Sequence, residues 1–184
     1  MARVHLTDPA TLTAPAADGA LDDFIGKLRQ GRRGTVLNLY RMLLNSPKIA
    51  TSWFAHLNTV RWGTGLDGRL RELVIIRIAH LTGAAYVIRQ HVPKLALADN
   101  VSLAECDALQ DWQPSPHFDA RERAVLAYTD AMTRDIQVGE AIFGAVRPHF
   151  DDKALVELSV LIGTYNMHVR VLQALDVDLE PDES

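Results

Sequence analysis

Residues 71–93 read RELVIIRIAHLTGAAYVIRQHVP, a long apolar segment interrupted by Thr82-Gly83 and carrying Glu72, Arg77, His80 and His91. Taken alone, VIIRI passes as a buried strand, but no alternating apolar–polar pattern of useful length continues it. Glycine is the most flexible residue and costs about 1 kcal/mol relative to alanine in a helix interior, so Leu81 to Gly83 reads as a corner between two helices. Glu72 lies ten residues before Thr82 and His91 nine after it, so an antiparallel fold-back brings the two face to face. On one straight helix, at about 1.5 Å per residue, they would stand roughly 28 Å apart.

The rest of the chain reads as helices around this corner. Leu21 to Leu44 gives two helical pieces separated by Gly31-Arg-Arg-Gly34, and Ser46-Pro47 opens a helix that runs to about Trp62. Asp67 is placed to cap the helix that carries Glu72. Beyond the corner, Asn100 suits a left-handed residue after a helix end. Ser102 with Glu105, and Asp119 with Glu122, have capping-box spacing. Gly139 to His149 forms a short helix, and Asp151 or Asp152 caps a final one from about Lys153 to Leu175. The fold class is all-α, with about seven or eight helices. Residues 1–20 read as an N-terminal arm of the kind that lies on a neighbouring subunit, 21–176 as one helical domain, and 177–184 as a frayed acidic tail.

Composition narrows the function. The chain has 184 residues, 48% of them hydrophobic, which suits one compact domain with a sizeable core. Its formal charge of −4 comes from 19 basic and 23 acidic residues with no basic cluster, which argues against a nucleic-acid partner. The single cysteine, Cys106, excludes an intrachain disulfide and a multi-cysteine metal site and points to a reducing cytoplasm. With neither a leader pattern nor an apolar run of about 18 residues, a soluble, unprocessed protein with no membrane partner is expected.

From about Leu37 to Leu175, the segments LNLYRMLLNSPKIA, LDGRLRELVIIRIAHLTGAAYVIRQHV and LVELSVLIGTYNMHVRVLQALDV resemble, in order and spacing, the carboxymuconolactone decarboxylase family, which includes the alkylhydroperoxidase D-like proteins. The resemblance implies an all-helical fold with a central antiparallel helix pair and a homo-oligomer: trimer, hexamer or dimer. In the family's peroxidase branch a Glu is followed twelve residues later by Cys-x-x-Cys and then, four residues on, by His. Those places fall here on Glu72, Ala84, Val87 and His91. One thiolate must attack peroxide and the other resolve the sulfenic acid, so alanine and valine disfavour thiol-dependent alkylhydroperoxidase or peroxiredoxin activity. The decarboxylase branch commonly has a Glu four residues before the His, and that place is again Val87.

What remains is Glu72 and His91 as an acid–base pair. The expected function is a cofactor-independent decarboxylase, lyase or isomerase acting on a small carbonyl or carboxylate compound. His91 and Glu72 are its catalytic residues. Tyr86, Ala84, Val87, Ile88, Arg77, His80, Asn166 and Arg170 are its candidate substrate contacts, with Arg77 or Arg170 as anion clamp. Asn166 and Arg170 share one helix face (i, i+4), and YNMHVR reads equally as an inter-helix hydrogen-bond network. Neither metal nor cofactor is expected, because His80 and His91 lack a nearby third ligand and the corner breaks their stripe. The plainer alternatives pair Glu72 with Arg77 or Arg69 and make His91 a satisfied core histidine; Trp62 reads as core, His56 and Arg61 as surface. The alternative function is a non-catalytic, oligomeric ligand-binding member of the same family.

Overall fold

The computed structural model describes residues 1–11, 19–30 and 36–181. Gly31-Arg-Arg-Gly34, part of the expected arm and the last three residues of the tail lie outside them. The described chain is all-helical and divides into two compact units, residues 1–58 with 172–184 and residues 59–171. Among the described residues there are nine α-helices, slightly more than the sequence led us to count, and none is long and apolar enough to cross a membrane.

In the first unit, α1 (Gly19–Gln30) and α2 (Asn38–Leu43) precede α3 (Pro47–Trp62), which begins at the expected proline and continues into residues of the second unit. The described part of the arm is tied to its own chain. Backbone N–H groups of Ala2 and Arg3 donate to Asp178 and to the Leu175 carbonyl, and the Thr7 N–H donates to the Arg41 carbonyl. The acidic tail is held as well. Asn38 donates its backbone N–H to Glu180 and its side-chain amide to the Asp178 carbonyl. Acidic side chains of this segment thus satisfy donors that would otherwise need solvent.

The second unit is built on α4 (Gly68–Thr82), whose residues 70–79 are all buried, Arg71, Glu72 and Arg77 among them. Asp67 caps it by accepting the Leu70 N–H. At its other end Gly83 takes φ 65°, ψ 28°, and the N–H groups of Gly83 and Ala84 return to the carbonyls of His80 and Ala79. This pair of bonds closes α4 and starts α5 (Ala85–His91) in a new direction, which is the corner expected at Leu81–Gly83. Pro93 cannot donate to the carbonyl four residues back, and the chain widens into a five-residue π turn over Val92–Ala96. His91 is therefore the last residue before a change of helical pitch.

Asn100, at φ 59°, turns the chain into α6 (Leu103–Ala108), and α7 (Ala120–Arg134), α8 (Glu140–Val146) and α9 (Asp152–Ala174) follow. Ser102/Glu105 and Asp119/Glu122 form reciprocal capping boxes, and Asp151 accepts the Ala154 N–H at the head of α9. α4 packs against α7, α5 and the π turn. Leu73 and Ile76 of α4 meet Ala96, Val101, Cys106, Leu109, Trp112, Phe118 and Leu126 in one dry cluster.

Two polar devices lock α4 in place. Arg69 donates to Glu105, Glu122 and the Asn100 carbonyl, each at 2.7 Å. Arg71 donates to Asp99 at 2.5 Å and to the Arg61 carbonyl at 2.9 Å. Gly68 makes room for Asp99, since a Cβ there would stand 2.6 Å from the Asp99 Cγ.

Two stability predictions follow from these devices. Gly68→Ala should displace Asp99, release Arg71 and lower stability by about 1–3 kcal/mol, read as a lower urea midpoint; an unchanged midpoint would show that Asp99 yields without cost. Partial burial works to raise the pKa of Glu105, but the bonds from Arg69 and Ser102 outweigh it and hold it at about 2, against an ordinary 4.5. The unfolded chain therefore binds more protons through this window, so the stabilisation is full above pH 4.5 and fades as the pH falls toward 2. Arg69→Met should lie well below the native chain in urea titrations above pH 4.5, and the two curves should converge as the pH approaches 2.

Candidate functional site

Four helical segments of the second unit bring the polar groups together: the end of α3, the start of α4, the end of α5 and the middle of α9. Glu72, on the second turn of α4, has no exposed surface. His91 Nδ1 lies 2.6 Å from Glu72 Oε2, and His91 is buried too. A carboxylate only accepts, so the His91 Nδ1–H is the donor, and Nε2 becomes the nitrogen whose protonation can change. The fold-back at Gly83 accounts for this meeting of residues nineteen apart in sequence.

The other carboxylate oxygen, Oε1, faces two arginines. Arg71 Nε lies 3.6 Å away and Arg61 Nη2 3.9 Å away. Burial works to raise the pKa of Glu72; the His91 hydrogen bond and charge, followed by the charges of Arg61 and Arg71, outweigh it and bring the net value below the ordinary one. Glu72 is thus a buried anion. Above it, the Trp62 ring lies 4.6 Å from the Arg61 guanidinium and 4.5 Å from that of Arg71, in cation–π contact with both. Trp62 is 58% exposed, whereas the Arg61 side chain is only 12% exposed. The expected assignment of Trp62 to the core and Arg61 to the surface is reversed, because the indole covers two guanidiniums drawn inward by a buried carboxylate.

α9 supplies Tyr165 and His168. The Tyr165 ring meets that of His91 edge-on at 5.7 Å and that of His168 at 5.6 Å. Burial, with the charges of His91 and Arg61, pulls the His168 pKa down to about 3. This imidazole is neutral at physiological pH.

The other candidate contacts lie elsewhere. Arg77 spends its donors on Asp130, through Nε and Nη2 at 2.6 Å each, and on the carbonyls of Leu109 and Gln110. It is a structural cross-brace, extended by the Trp112 indole N–H, which also donates to Asp130. His80 donates to the Cys106 carbonyl at 2.9 Å. Asn166 donates to Thr133 and to the Ile162 carbonyl, and the exposed Arg170 folds back on Asn166, so YNMHVR serves largely as an inter-helix network. Ile88 packs against the dry cluster. Ala84, Tyr86 and Val87 are buried on the corner side of α5. The plainer pairings of Glu72 are also replaced, since Arg69 and Arg77 are both committed to other carboxylates.

Sequence reasoning passed over Arg71 and Asp99 and set Arg61 aside. The one signal was stoichiometric: a carboxylate buried on an apolar helix demands cations, and Arg61 and Arg71 flank it in sequence. Cys106, the sole thiol, is buried. Desolvation, with the nearby carboxylates of Asp107, Glu105 and Glu72, pushes its pKa up to about 11, so it is a poor nucleophile at neutral pH. Among the described residues no group of three or more His, Cys, Asp or Glu is arranged to hold a metal.

Residues 47–131 match the model of the carboxymuconolactone decarboxylase family. The chain is 32% identical over 114 residues to the uncharacterized protein YnjA of Escherichia coli (strain K12), covering 61% of this chain and 62% of that protein, less than two thirds of the relative's length. Among solved structures, it is similar to the protein of unknown function ATU0492 of Agrobacterium tumefaciens, at 27% identity and a TM-score of 0.71, covering 76% of this chain and 96% of that one. It is also similar to the uncharacterized peroxidase-related protein of Ralstonia eutropha JMP134, an alkylhydroperoxidase AhpD core, at 19% identity and a TM-score of 0.80, covering 99% and 93%. With its alkylhydroperoxidase D-like helical fold and the match over residues 47–131, just under half of its length, the chain is similar to the carboxymuconolactone decarboxylase family and lacks the Cys-x-x-Cys pair.

Proposed function

We propose that the protein is a cofactor-independent acid–base enzyme of the lyase or isomerase type, acting on a small carbonyl or carboxylate compound. The observation that carries this reading is the 2.6 Å contact between His91 Nδ1 and Glu72 Oε2, both groups buried. Glu72 fixes the imidazole tautomer and steadies the imidazolium, while His91 Nε2 moves the proton at a carbon or oxygen next to the substrate carbonyl. The lowered Glu72 pKa keeps the carboxylate ionised at neutral pH, as a group that orients His91 or receives a proton must be, and the depressed His168 keeps a second positive charge away from His91. Thiol-dependent peroxidase chemistry has no support: Ala84 and Val87 stand at the thiol positions and Cys106 is buried.

A second reading, a non-catalytic ligand-binding member of the family, draws on the capture of Arg77, Asn166 and Arg170 by protein partners, which removes three expected recognition groups. Under either reading the protein is a cytoplasmic homo-oligomer. Exposed Val156, Val160 and Met167 along one face of α9 offer apolar surface for self-association.

The test is turnover across a panel of small lactones, keto acids and hydroxy acids, comparing the native chain with Glu72→Gln and His91→Ala, both checked for native thermal unfolding. Loss of the general acid–base should cost about 10²–10⁴-fold in kcat, with Glu72→Gln falling less than His91→Ala. Equal turnover by all three proteins sinks the acid–base assignment. Measurable reduction of an alkyl hydroperoxide coupled to thiol oxidation would overturn the exclusion of peroxidase activity.

A further inference from the structure

The two oxygens of Glu72 keep different company. Oε2 is taken by His91, whereas Oε1 is buried and has no hydrogen-bond partner among the described residues. The same is true of Arg71 Nε, Arg61 Nε and Arg61 Nη2. Two of these donors face the acceptor, with Oε1 at 3.6 Å from Arg71 Nε and 3.9 Å from Arg61 Nη2, and Arg61 Nε is the third unfilled donor, on the same guanidinium as Nη2. Proteins satisfy nearly all such atoms, and each exception calls for a cause.

Arg77 provides an internal control. Its Nε and Nη2, the same side-on pair, are filled by the two oxygens of Asp130 at 2.6 Å each. The Arg61 pair is filled by no group among the described residues. The gaps between Oε1 and the arginines are too long for a hydrogen bond and short enough for one oxygen to bridge. That oxygen must accept from guanidinium N–H groups and donate to a carboxylate, which describes an O–H group. A carboxylate ligand satisfies the arginines but sets a second anion against Glu72, with no proton to offer.

We propose that Arg61, Arg71 and Glu72 Oε1 form a subsite for a hydroxyl or enol oxygen of the substrate, in which the two arginines hold the oxygen and Glu72 takes its proton. The O–H bond breaks with its electron pair left on the substrate oxygen, giving an enolate or alkoxide that faces two guanidiniums. The proton resides on Oε1 and returns in the reverse step, so nothing is oxidised or reduced. Trp62, exposed and lying over both guanidiniums, is the cover of this subsite. The substrate class is thereby narrowed to small hydroxy or enolisable carbonyl compounds. The inference rests on the acid–base reading of Glu72 and His91 and adds the oxygen-binding half of the site.

The full chain should be titrated with 4-nitrophenol, 4-nitroanisole and 4-nitrobenzoate, with affinity measured by calorimetry and ionisation of the bound phenol by absorbance. The nitrophenol should bind at least about tenfold more tightly than the ether or the carboxylate, because a site built around an O–H rejects analogues that lack one. It should also show the phenolate band at a pH below its own pKa. Arg61→Gln should abolish both the preference and the band, and Arg61→Lys, which keeps the charge and loses the side-on pair, should restore part of the band. Equal binding of phenol and ether, tighter binding of the carboxylate, or an unaltered Arg61→Gln protein overturns the subsite. So does a crystal structure of the nitrophenol complex in which only an ordered water bridges these atoms. Phenol preference in a chain that turns over nothing on the panel defeats the catalytic reading alone; turnover that depends on Glu72 and His91 without phenol preference defeats this one alone.

Discussion

A carboxylate with no exposed surface is the constraint to which the second unit answers. Removing an ion from water costs several kcal/mol even after the protein relaxes, so Glu72 requires partners on every side. They come from separate pieces of chain: His91 from beyond the corner, Arg71 from the next place on α4, and Arg61 from the end of α3. Each partner then needs its own support. Arg71 is braced by Asp99, which Gly68 admits, and His91 sits where Pro93 forces the helix to widen. The glycine at the corner, the glycine at the head of α4 and the proline after α5 thus act on one buried charge.

Polar burial elsewhere in the unit has a different character. Arg69 and Arg77 each reach across to carboxylates on α7 with short, well-made bonds, and Arg77 fills its remaining capacity with the carbonyls of Leu109 and Gln110. These are saturated networks that fix the position of α4. Around Glu72 Oε1 the same residue types converge without completing their hydrogen bonds. Arginine beside carboxylate occurs in both places, and only the hydrogen-bond inventory separates the two.

Local features were legible in the sequence. The capping boxes at Ser102 and Asp119, the left-handed Asn100 and the glycine corner depend on residues within a few positions of one another, and each signal carries its own geometry. The Glu72–His91 contact was legible too, since counting outward from one break fixes which side chains face each other across a hairpin. The choice among arginines was not. Arg61, Arg69, Arg71 and Arg77 lie within seventeen positions, and their carboxylate partners lie up to fifty-three away, where helical periodicity gives no register. Trp62 misled for a related reason, because an indole in a helix reads as core unless the two guanidiniums beneath it are known. The hydrogen bonds between the terminal segments were not legible either, because they join residues more than a hundred and seventy positions apart.

The absence of the thiols sharpens the question of what the buried pair does. With Ala84 and Val87 at those positions, Glu72 and His91 have no cysteine to activate, and Cys106 is held protonated in the apolar cluster. A structural role alone accounts poorly for the arrangement, since replacing a buried ion pair by apolar side chains of similar volume is often neutral or stabilising. Arg77 and Asp130 at least satisfy each other and two backbone carbonyls. Glu72, Arg61 and Arg71 meet the cost of desolvation and still leave donors and an acceptor facing one another at 3.6 and 3.9 Å, beyond hydrogen-bond reach. An arrangement that spends stability in this way is suited to bind an oxygen whose charge changes during reaction, because dipoles and charges fixed in advance need no reorganisation when that charge appears.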